Sequence, residues 1–260
     1  MIVDLHNHTK LCNHAEGEMY QYVEQAIKSG VKYFGFSDHA PMDFEKKYRM
    51  SFSQMVMYET EVKELKERYK DDIEVLLGYE VDYLENYMDE RVLKTKVDYL
   101  IGSVHFLGGW GFDNPEFIGE YKAKDIDVIW QDYFNTVQKM VQSGKFDIVG
   151  HIDLIKVFKY LPKKDVKLIA KDCVKAIKKA DMVVEINMAG LKKPINEIYP
   201  SDDILQMLLE YDIPLTFGSD AHKSDEVCKY DELLTKKIEQ FNINKCAVFK
   251  GRDRKLISLK

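Results

Sequence analysis

Short apolar segments alternate with amphipathic segments along almost the whole chain, and this alternation limits the possible folds more than any other feature. In the amphipathic segments, hydrophobic residues recur at three- and four-residue steps, as in EMYQYVEQAIKSG and KKDVKLIAKDCVKAIKKA, which predicts helices. The predicted strands are residues 2–8, 33–38, 73–81, 99–106, 146–151, 182–187 and 214–219, with CAVFKG near the end of the chain as an eighth, weaker candidate.

Strands that are apolar throughout and alternate with helices predict an α/β fold with a parallel sheet covered by helices. Seven or eight such units in 260 residues favour a barrel related to the (β/α)8 type over an open sheet. No low-complexity linker or change of composition divides the chain, so we expect one domain over residues 1–260.

Composition excludes several classes of protein. With 45% hydrophobic and 32% charged residues, the chain has the composition of an ordinary globular protein. A net charge of -6 argues against non-specific binding to nucleic acid or to an anionic membrane. No apolar run approaches the roughly 20 residues of a membrane helix. The four cysteines are scattered without a CxxC pair, which favours a reducing compartment, so we expect a cytoplasmic protein. The sequence does not indicate an oligomeric state.

The chain has seven histidines, and most of them follow or close a predicted strand. The histidines at strand ends are His6, His8, His39, His105, His151 and His222. Because the C-terminal ends of the strands form the active-site face of such a barrel, we expect these imidazoles to converge there. A single histidine at a strand end is more often a hydrogen-bonded structural residue, but six of them favour a shared function. Strand periodicity does not place the seventh, His14.

Acidic residues occur at the same strand ends. Glu80 lies inside the apolar strand LLGYEVDY, where a charge is costly unless it is paired or bound to a metal. Asp4 and Asp38 precede strand-end histidines, and Asp220 precedes His222 by two residues. For Asp4 and Asp38 there are two alternatives, metal ligation and hydrogen bonding to the second nitrogen of a histidine.

The ligand types indicate transition metals. Residues i and i+2 of a strand face the same side, so His6 and His8 can bind one ion together. Imidazoles mixed with carboxylates suit zinc, manganese or iron better than calcium or magnesium, which prefer oxygen ligands. With this many candidate ligands we expect two or three divalent ions, which can activate water and neutralise a phosphoryl group. The chain lacks a P-loop, a dinucleotide-binding GxGxxG, HExxH and GxSxG.

The longest segment without a strand or helix pattern runs from residue 107 to about 124 and reads LGGWGFDNPEFIGEYKAK. Long loops in compact domains are often lids or binding loops. Trp110 or Phe112 would then lie against a bound substrate, and the alternative is that both pack onto the barrel.

Six successive motifs resemble the PHP (polymerase and histidinol phosphatase) family of metal-dependent phosphoesterases. The motifs are DLHNHT, FSDHAP, GYEVDY, GSVHF, GHIDL and GSDAH, in the family order from residue 4 to residue 222. The resemblance implies a distorted (β/α)7 barrel with a site for three metals. By motif, the first ion would be held by His6, His8, Glu80 and Asp220, the second by Glu80, His105 and His151, and the third by His14, His39 and His222.

Two longer segments, GSVHFLGGWGFDNP and EINMAGLKKP, resemble the histidinol-phosphate phosphatase branch of the family. The branch implies hydrolysis of a small phosphomonoester, L-histidinol phosphate, in histidine biosynthesis. Asp220 or Asp38 would move the proton to the leaving alkoxide, and Lys156 and Lys192 would bind the phosphate. Arginine is common at these two positions in the branch, and lysine offers a point charge in place of a two-pronged contact. Lys193 is interpreted as a solvated surface residue.

Two other functions fit part of the sequence. Another PHP phosphoesterase, of the nucleotide phosphodiesterase or 3'-exonuclease type, would act on nucleotides or single strands. The sequence lacks the basic patches with interleaved aromatic residues that bind nucleic acid, which counts against it. A non-catalytic metal-binding PHP module would tolerate the loss of ligands, whereas every ligand position is filled here.

Overall fold

Seven parallel strands, each apolar on both faces, form the centre of the molecule. The computed structural model describes residues 1–259. The strands of this sheet are β1 (Val3–Asp4), β2 (Tyr33–Phe36), β3 (Glu74–Asp82), β4 (Tyr99–Ser103), β7 (Ile148–Val149), β8 (Val183–Asn187) and β9 (Leu215–Gly218). The remaining strands are β5 (Phe106–Leu107), β6 (Trp110–Gly111), β10 (Lys245–Lys250) and β11 (Asp253–Ser258).

The central sheet is a nearly closed barrel. Its strand order is β1-β2-β3-β4-β7-β8-β9, and every neighbouring pair is parallel. The first and last strands meet through backbone hydrogen bonds from Leu5 N to Phe217 O at 2.9 Å and from Asp220 N to His6 O at 2.7 Å. This arrangement confirms the expected distorted (β/α)7 barrel and places the C-terminal ends of all seven strands on one face.

Helices cover the outside of the barrel. They are α1 (Met19–Lys28), α2 (Met55–Arg68), α3 (Glu90–Leu93), α4 (Ile126–Gln142), α5 (Val166–Ala180), α6 (Asp202–Glu210) and α7 (Asp231–Gln240). Each of the two helical patterns quoted above forms one helix, α1 and α5, with its apolar stripe buried. Among residues 1–259, no helix combines the length and the hydrophobicity needed to cross a bilayer.

The eighth strand candidate does not extend the barrel. CAVFKG lies in β10, which pairs antiparallel with β11 as a separate hairpin. Arg252 in the hairpin turn binds Asp147 through Nε at 2.8 Å, and its backbone N–H donates to Asp98 O at 2.8 Å. Since Asp98 and Asp147 precede β4 and β7, the hairpin covers the N-terminal end of the barrel, opposite the histidine-bearing face.

The segment from residue 107 to 124 is more regular than its composition indicates. The prediction of one long irregular loop is wrong here, because β5 and β6 form a short hairpin and residues Pro115–Lys122 form a 3-10 helix. The Asn114 side chain accepts a hydrogen bond from Glu116 N at 2.9 Å and caps that helix. The segment is therefore held in one conformation by its own hydrogen bonds.

Candidate metal centre

All seven histidines of the chain lie together at the C-terminal end of the barrel strands. The ring centroids of His8 and His222 are 4.1 Å apart, those of His8 and His39 are 4.4 Å apart, and those of His105 and His151 are 4.9 Å apart. His14, which strand periodicity does not place, lies 4.6 Å from His222 by the same measure. The predicted convergence of the imidazoles is therefore present, and His14 belongs to it.

The potential ligand atoms fall into small groups within 4.8 Å of one another. Three of these groups are His6, His8 and Glu80; Glu80, His105 and His151; and His14, His39 and His222. A further group combines Cys12 with His8 and His222. Asp220 belongs to none of the four, but its Oδ1 lies 3.0 Å from His8 Nε2, at the edge of the first group.

Glu80 connects two of the groups. It lies near the end of β3 with 1% exposure, and its Oε1 is 2.9 Å from His151 Nε2 while its Oε2 is 3.0 Å from His39 Nδ1. Burial raises the pKa of this carboxyl. The nearby imidazoles of His39, His6 and His105 lower it by more, so the pKa lies well below its usual value. Glu80 is therefore an ionised carboxylate with its two oxygens turned to different histidines.

His14 and His222 point lone pairs at each other. Their Nδ1 atoms lie 2.9 Å from Cys12 O and 3.2 Å from Asp220 O, and a carbonyl oxygen can only accept. Both protons therefore sit on Nδ1, and in the neutral rings both Nε2 atoms carry a lone pair, 2.9 Å apart. Burial lowers the pKa of both histidines, which keeps the rings neutral. A cation that accepts both lone pairs removes this repulsion, so the residues present fit a metal ion.

His6 presents the same requirement. Its Nδ1 lies 2.7 Å from Glu185 Oε1, which fixes the proton on that nitrogen. Its Nε2 lies 3.5 Å from Glu80 Oε2, and this buried atom has no hydrogen-bond partner among residues 1–259. Because an unpaired polar atom in the interior costs stability, the orientation of His6 is that of a metal ligand.

The residues that orient the histidines were not singled out from the sequence. Glu185 in β8 holds His6 and also accepts from His151 N at 3.0 Å. Asp82 in β3 contacts His105 Nδ1 through one oxygen and Arg49 through the other, at 2.8 Å. A carboxylate inside an apolar strand, the signal that marked Glu80, also occurs in GYEVDY and VVEIN and would have found both acids.

Asp38 and Asp4, for which the sequence allows either metal ligation or hydrogen bonding to a histidine, lie behind the histidines. Asp38 is fully buried, with Oδ1 3.4 Å from His8 Nδ1 and accepting from His39 N at 2.8 Å, so it orients His8. Asp4 contacts the backbone and hydroxyl of Ser219, at 2.9 and 2.6 Å, and joins the ends of β1 and β9. Its burial raises the pKa of Asp4 to about 6. Neither aspartate borders the cavity described next.

The histidine cluster forms the floor of a cavity of about 630 Å³. Asp220, Lys192 and Lys193 line it, and Arg49 contributes a further cation. Aromatic side chains line it as well: Tyr48, Phe106, Phe117 and Tyr199. The cavity thus combines a cationic and metal-binding floor with an aromatic wall, the character expected of a site for a small organic anion.

Two predicted substrate contacts lie outside this cavity lining. Lys156 is 1% exposed, and its Nζ is bound by Asp153 at 3.0 Å, Glu197 at 2.8 Å and Ile198 O at 2.8 Å. Its ammonium group is therefore neutralised by buried partners and does not face the cavity.

Trp110 is half-buried and packs against its own segment, with its ring 4.8 Å from that of Tyr121. Its Nε1 donates to Phe117 O at 3.3 Å. Phe112 is fully buried, and neither residue lines the cavity. Phe117 is the aromatic residue of the segment that borders the cavity.

Lys192 lies at the cavity, and Lys193, interpreted as a solvated surface residue, is exposed and also borders the cavity. Lys192 Nζ is 2.7 Å from Glu226 Oε2 and 3.2 Å from Asp220 O. It is held beside Asp220, with its side chain 18% exposed on the cavity side.

Gly218, the last residue of β9, is a site where added volume should disturb the histidines. A Cβ there would come within 2.1 Å of Glu185 Oε1 and 2.5 Å of His6 Cβ. We expect Gly218→Ala to displace His6, to lower the metal content of the purified protein and to cost about 1–3 kcal/mol of stability. Gly119→Ala is the control, because a Cβ at Gly119 meets nothing within 4 Å. Full metal content and an unchanged melting temperature in Gly218→Ala would contradict the described packing.

Known proteins are similar in sequence to this chain over most of its length. A protein named "Probable histidinol-phosphatase" from Deinococcus radiodurans is 37% identical over 232 residues, which cover 87% of this chain and 88% of that protein. The histidinol-phosphatase of Bacillus subtilis is 30% identical over 253 residues, 86% of this chain and 94% of that protein.

The fold is shared with a solved structure. Histidinol phosphate phosphatase from Lactococcus lactis, complexed with zinc, L-histidinol and phosphate, superimposes with a TM-score of 0.75 at 21% identity, covering 97% of this chain and 98% of that one. The family model described as PHP domain matches residues 4–189, the part that carries all the histidines except His222. The barrel, the histidine cluster and this match together place the chain in the PHP domain family.

Proposed function

We propose that this protein is a metal-dependent phosphomonoesterase that hydrolyses L-histidinol phosphate to L-histidinol and phosphate. The observation that carries the proposal is the cluster of histidines and carboxylates at the floor of a cavity sized for a small molecule. The relatives named histidinol-phosphatase, one of them 37% identical over most of both chains, support this substrate over other phosphomonoesters.

We assign the metal ligands as the family motifs imply. His6, His8, Glu80 and Asp220 would hold one ion, Glu80, His105 and His151 a second, and His14, His39 and His222 a third. The donor set suits zinc, manganese or iron, and two or three ions are proposed. Divalent ions bound there supply positive charge that polarises a phosphoryl oxygen and activates water for attack on phosphorus.

Asp220 is the carboxylate assigned to proton transfer. It lines the cavity, whereas Asp38 lies behind His8, so Asp220 is the one that can reach the substrate. Burial raises the pKa of Asp220, but His6 and His8 lower it by more. The net shift is downward, so the group is ionised at neutral pH. Its Oδ2 accepts from Asn187 Nδ2 at 3.1 Å, and its Oδ1 lies 3.0 Å from His8 Nε2. The carboxylate would take a proton from the attacking water and pass it to the leaving alkoxide.

The cationic side chains around the floor would bind the phosphoryl oxygens. Lys192 and Lys193 border the cavity beside Asp220, and Arg49 borders it near Asp82. Since Arg49 is bound to Asp82 and to two carbonyl oxygens, we assign the direct phosphate contact to the lysines. The aromatic wall of Tyr48 and Phe117 would contact the imidazole of the substrate.

Phosphate release measured on metal-loaded protein tests the proposal. We expect kcat/KM for L-histidinol phosphate to exceed that for glycerol phosphate and p-nitrophenyl phosphate by at least about 100-fold, because an imidazole and an ammonium add contacts that those substrates lack. A dinucleotide and single-stranded DNA are included as substrates of the alternative phosphodiesterase and exonuclease functions. Comparable rates on unrelated phosphates, or faster cleavage of a nucleotide substrate, would contradict the assignment.

A further inference from the structure

Tyr199 carries a buried hydroxyl group that nothing in the protein uses. The residue is 1% exposed and borders the cavity. Its hydroxyl has no hydrogen-bond partner among residues 1–259. Tyrosine hydroxyls in protein interiors are almost always bonded, because an unmade hydrogen bond in the interior costs stability.

The backbone and the ring of Tyr199 are both enclosed by neighbouring residues. Tyr199 N donates to Asn187 O at 3.0 Å, and Asn187 N donates to Tyr199 O at 2.7 Å. The ring lies 5.2 Å from Lys156 Nζ and 6.3 Å from the ring of His151. On another side is Gly190, where a Cβ would come within 2.9 Å of Tyr199 Cε2. The ring of Tyr199 therefore lies between the buried Lys156 and the histidine cluster.

The position at the cavity separates this hydroxyl from the other unpartnered side-chain oxygens. Those belong to Asn7, Ser37, Ser103 and Asp153, none of which borders the cavity. Tyr199 borders it, with its ring centroid 6.3 Å from that of His151. Because His151 is one of the assigned metal ligands, Tyr199 borders the place where a phosphoryl group would bind.

We propose that Tyr199 is a further catalytic residue, whose hydroxyl donates a hydrogen bond to a phosphoryl oxygen of the bound substrate. The inference rests on the proposed phosphomonoesterase function. A phenol has an ordinary pKa of about 10, and burial raises the pKa of Tyr199 further, so the group keeps its proton at neutral pH. A hydrogen bond to a charged oxygen is stronger than one between neutral groups, and it gains further as charge develops in the transition state.

Tyr199→Phe tests the proposal because it removes the hydroxyl and leaves the ring. We expect kcat/KM for L-histidinol phosphate to fall about 10- to 100-fold. We also expect inorganic phosphate to bind the metal-loaded protein about tenfold more weakly in calorimetry. The melting temperature should stay the same or rise, because the variant loses no internal hydrogen bond and no longer buries an unpaired oxygen.

Tyr22→Phe is the matched control. Its hydroxyl is buried too, but it donates to Glu16 O at 2.7 Å and lies outside the cavity lining. This variant should melt about 2–4 °C lower, with unchanged kcat and phosphate affinity. Tyr199→Phe with unchanged kcat and phosphate affinity overturns the inference. A fall in its melting temperature equal to that of Tyr22→Phe also overturns it, because that would show an internal partner for the hydroxyl.

The phosphate-binding measurement separates this inference from the proposed substrate. Inorganic phosphate binds through the metal and donor groups whatever the organic part of the substrate is. A wild-type protein that leaves L-histidinol phosphate intact would contradict the proposed function, while weaker phosphate binding by Tyr199→Phe would still support the role of the hydroxyl.

Discussion

Glu80→Gln is expected to lower kcat/KM for L-histidinol phosphate by roughly 1,000-fold or more and to reduce the metal bound per chain. Glu80 is the one residue shared by two of the three assigned metal sites, with its oxygens 2.9 Å from His151 Nε2 and 3.0 Å from His39 Nδ1. Glutamine keeps the shape of the side chain but replaces one anionic oxygen by an amide nitrogen, which does not bind a cation. Elemental analysis and phosphate release on the same preparation measure both effects.

Glu74→Gln is the matched control for this variant. Glu74 begins the same strand, at the end away from the histidines, and is partly exposed. It should keep wild-type activity and metal content. If Glu80→Gln were as active as Glu74→Gln, the bridging role of Glu80 would be wrong. If it lost activity with metal content unchanged, Glu80 would act on the substrate and not as a ligand.

Removal of metal should abolish phosphate release and lower the melting temperature by roughly 10 °C. An ion present at about 1,000 times its dissociation constant contributes about 4 kcal/mol to stability, and each kcal/mol corresponds to about 2–4 °C in a chain of this size. The structural reason is that without a cation the lone pairs of His14 and His222 face each other at 2.9 Å, and His6 Nε2 has no hydrogen-bond partner among residues 1–259.

Scanning calorimetry before and after treatment with a chelator measures this change. Readdition of zinc or manganese should restore both activity and melting temperature, and the same dose of calcium should restore neither, because the sites are rich in imidazole. A chelated protein with unchanged melting temperature would contradict the assignment of the cluster as a metal centre.

The barrel was predictable because its strands are apolar throughout and therefore stand out from the amphipathic helices. Predicted and observed strands differ most at the first one, where residues 2–8 were expected and only Val3–Asp4 is regular. Beyond Asp4 the chain makes single contacts with the end of β9, such as the bridge between Asn7 and Ala221. Helix α7 has a weak apolar pattern, since Leu234 is its one fully buried residue.

The strand-end histidines were predictable because the C-terminal ends of parallel strands meet on one face, whereas the place of His14 followed only from the family motifs. The direction of a side chain outside regular strands is set by tertiary contacts that spacing does not encode. Lys156 ends a 3-10 turn, and its side chain points into the protein because its Nζ pairs with Asp153 and Glu197. Trp110 likewise turns toward Tyr121 and away from the cavity.

Titration of the metal-free protein with zinc or manganese, with bound metal and phosphate release from L-histidinol phosphate followed together, tests the central claim most directly. We expect no release from the metal-free chain, and activity that appears only as a second ion binds, because Glu80 is shared by two of the assigned metal sites. Release by the metal-free protein, or none from a protein with all its sites filled, would contradict it.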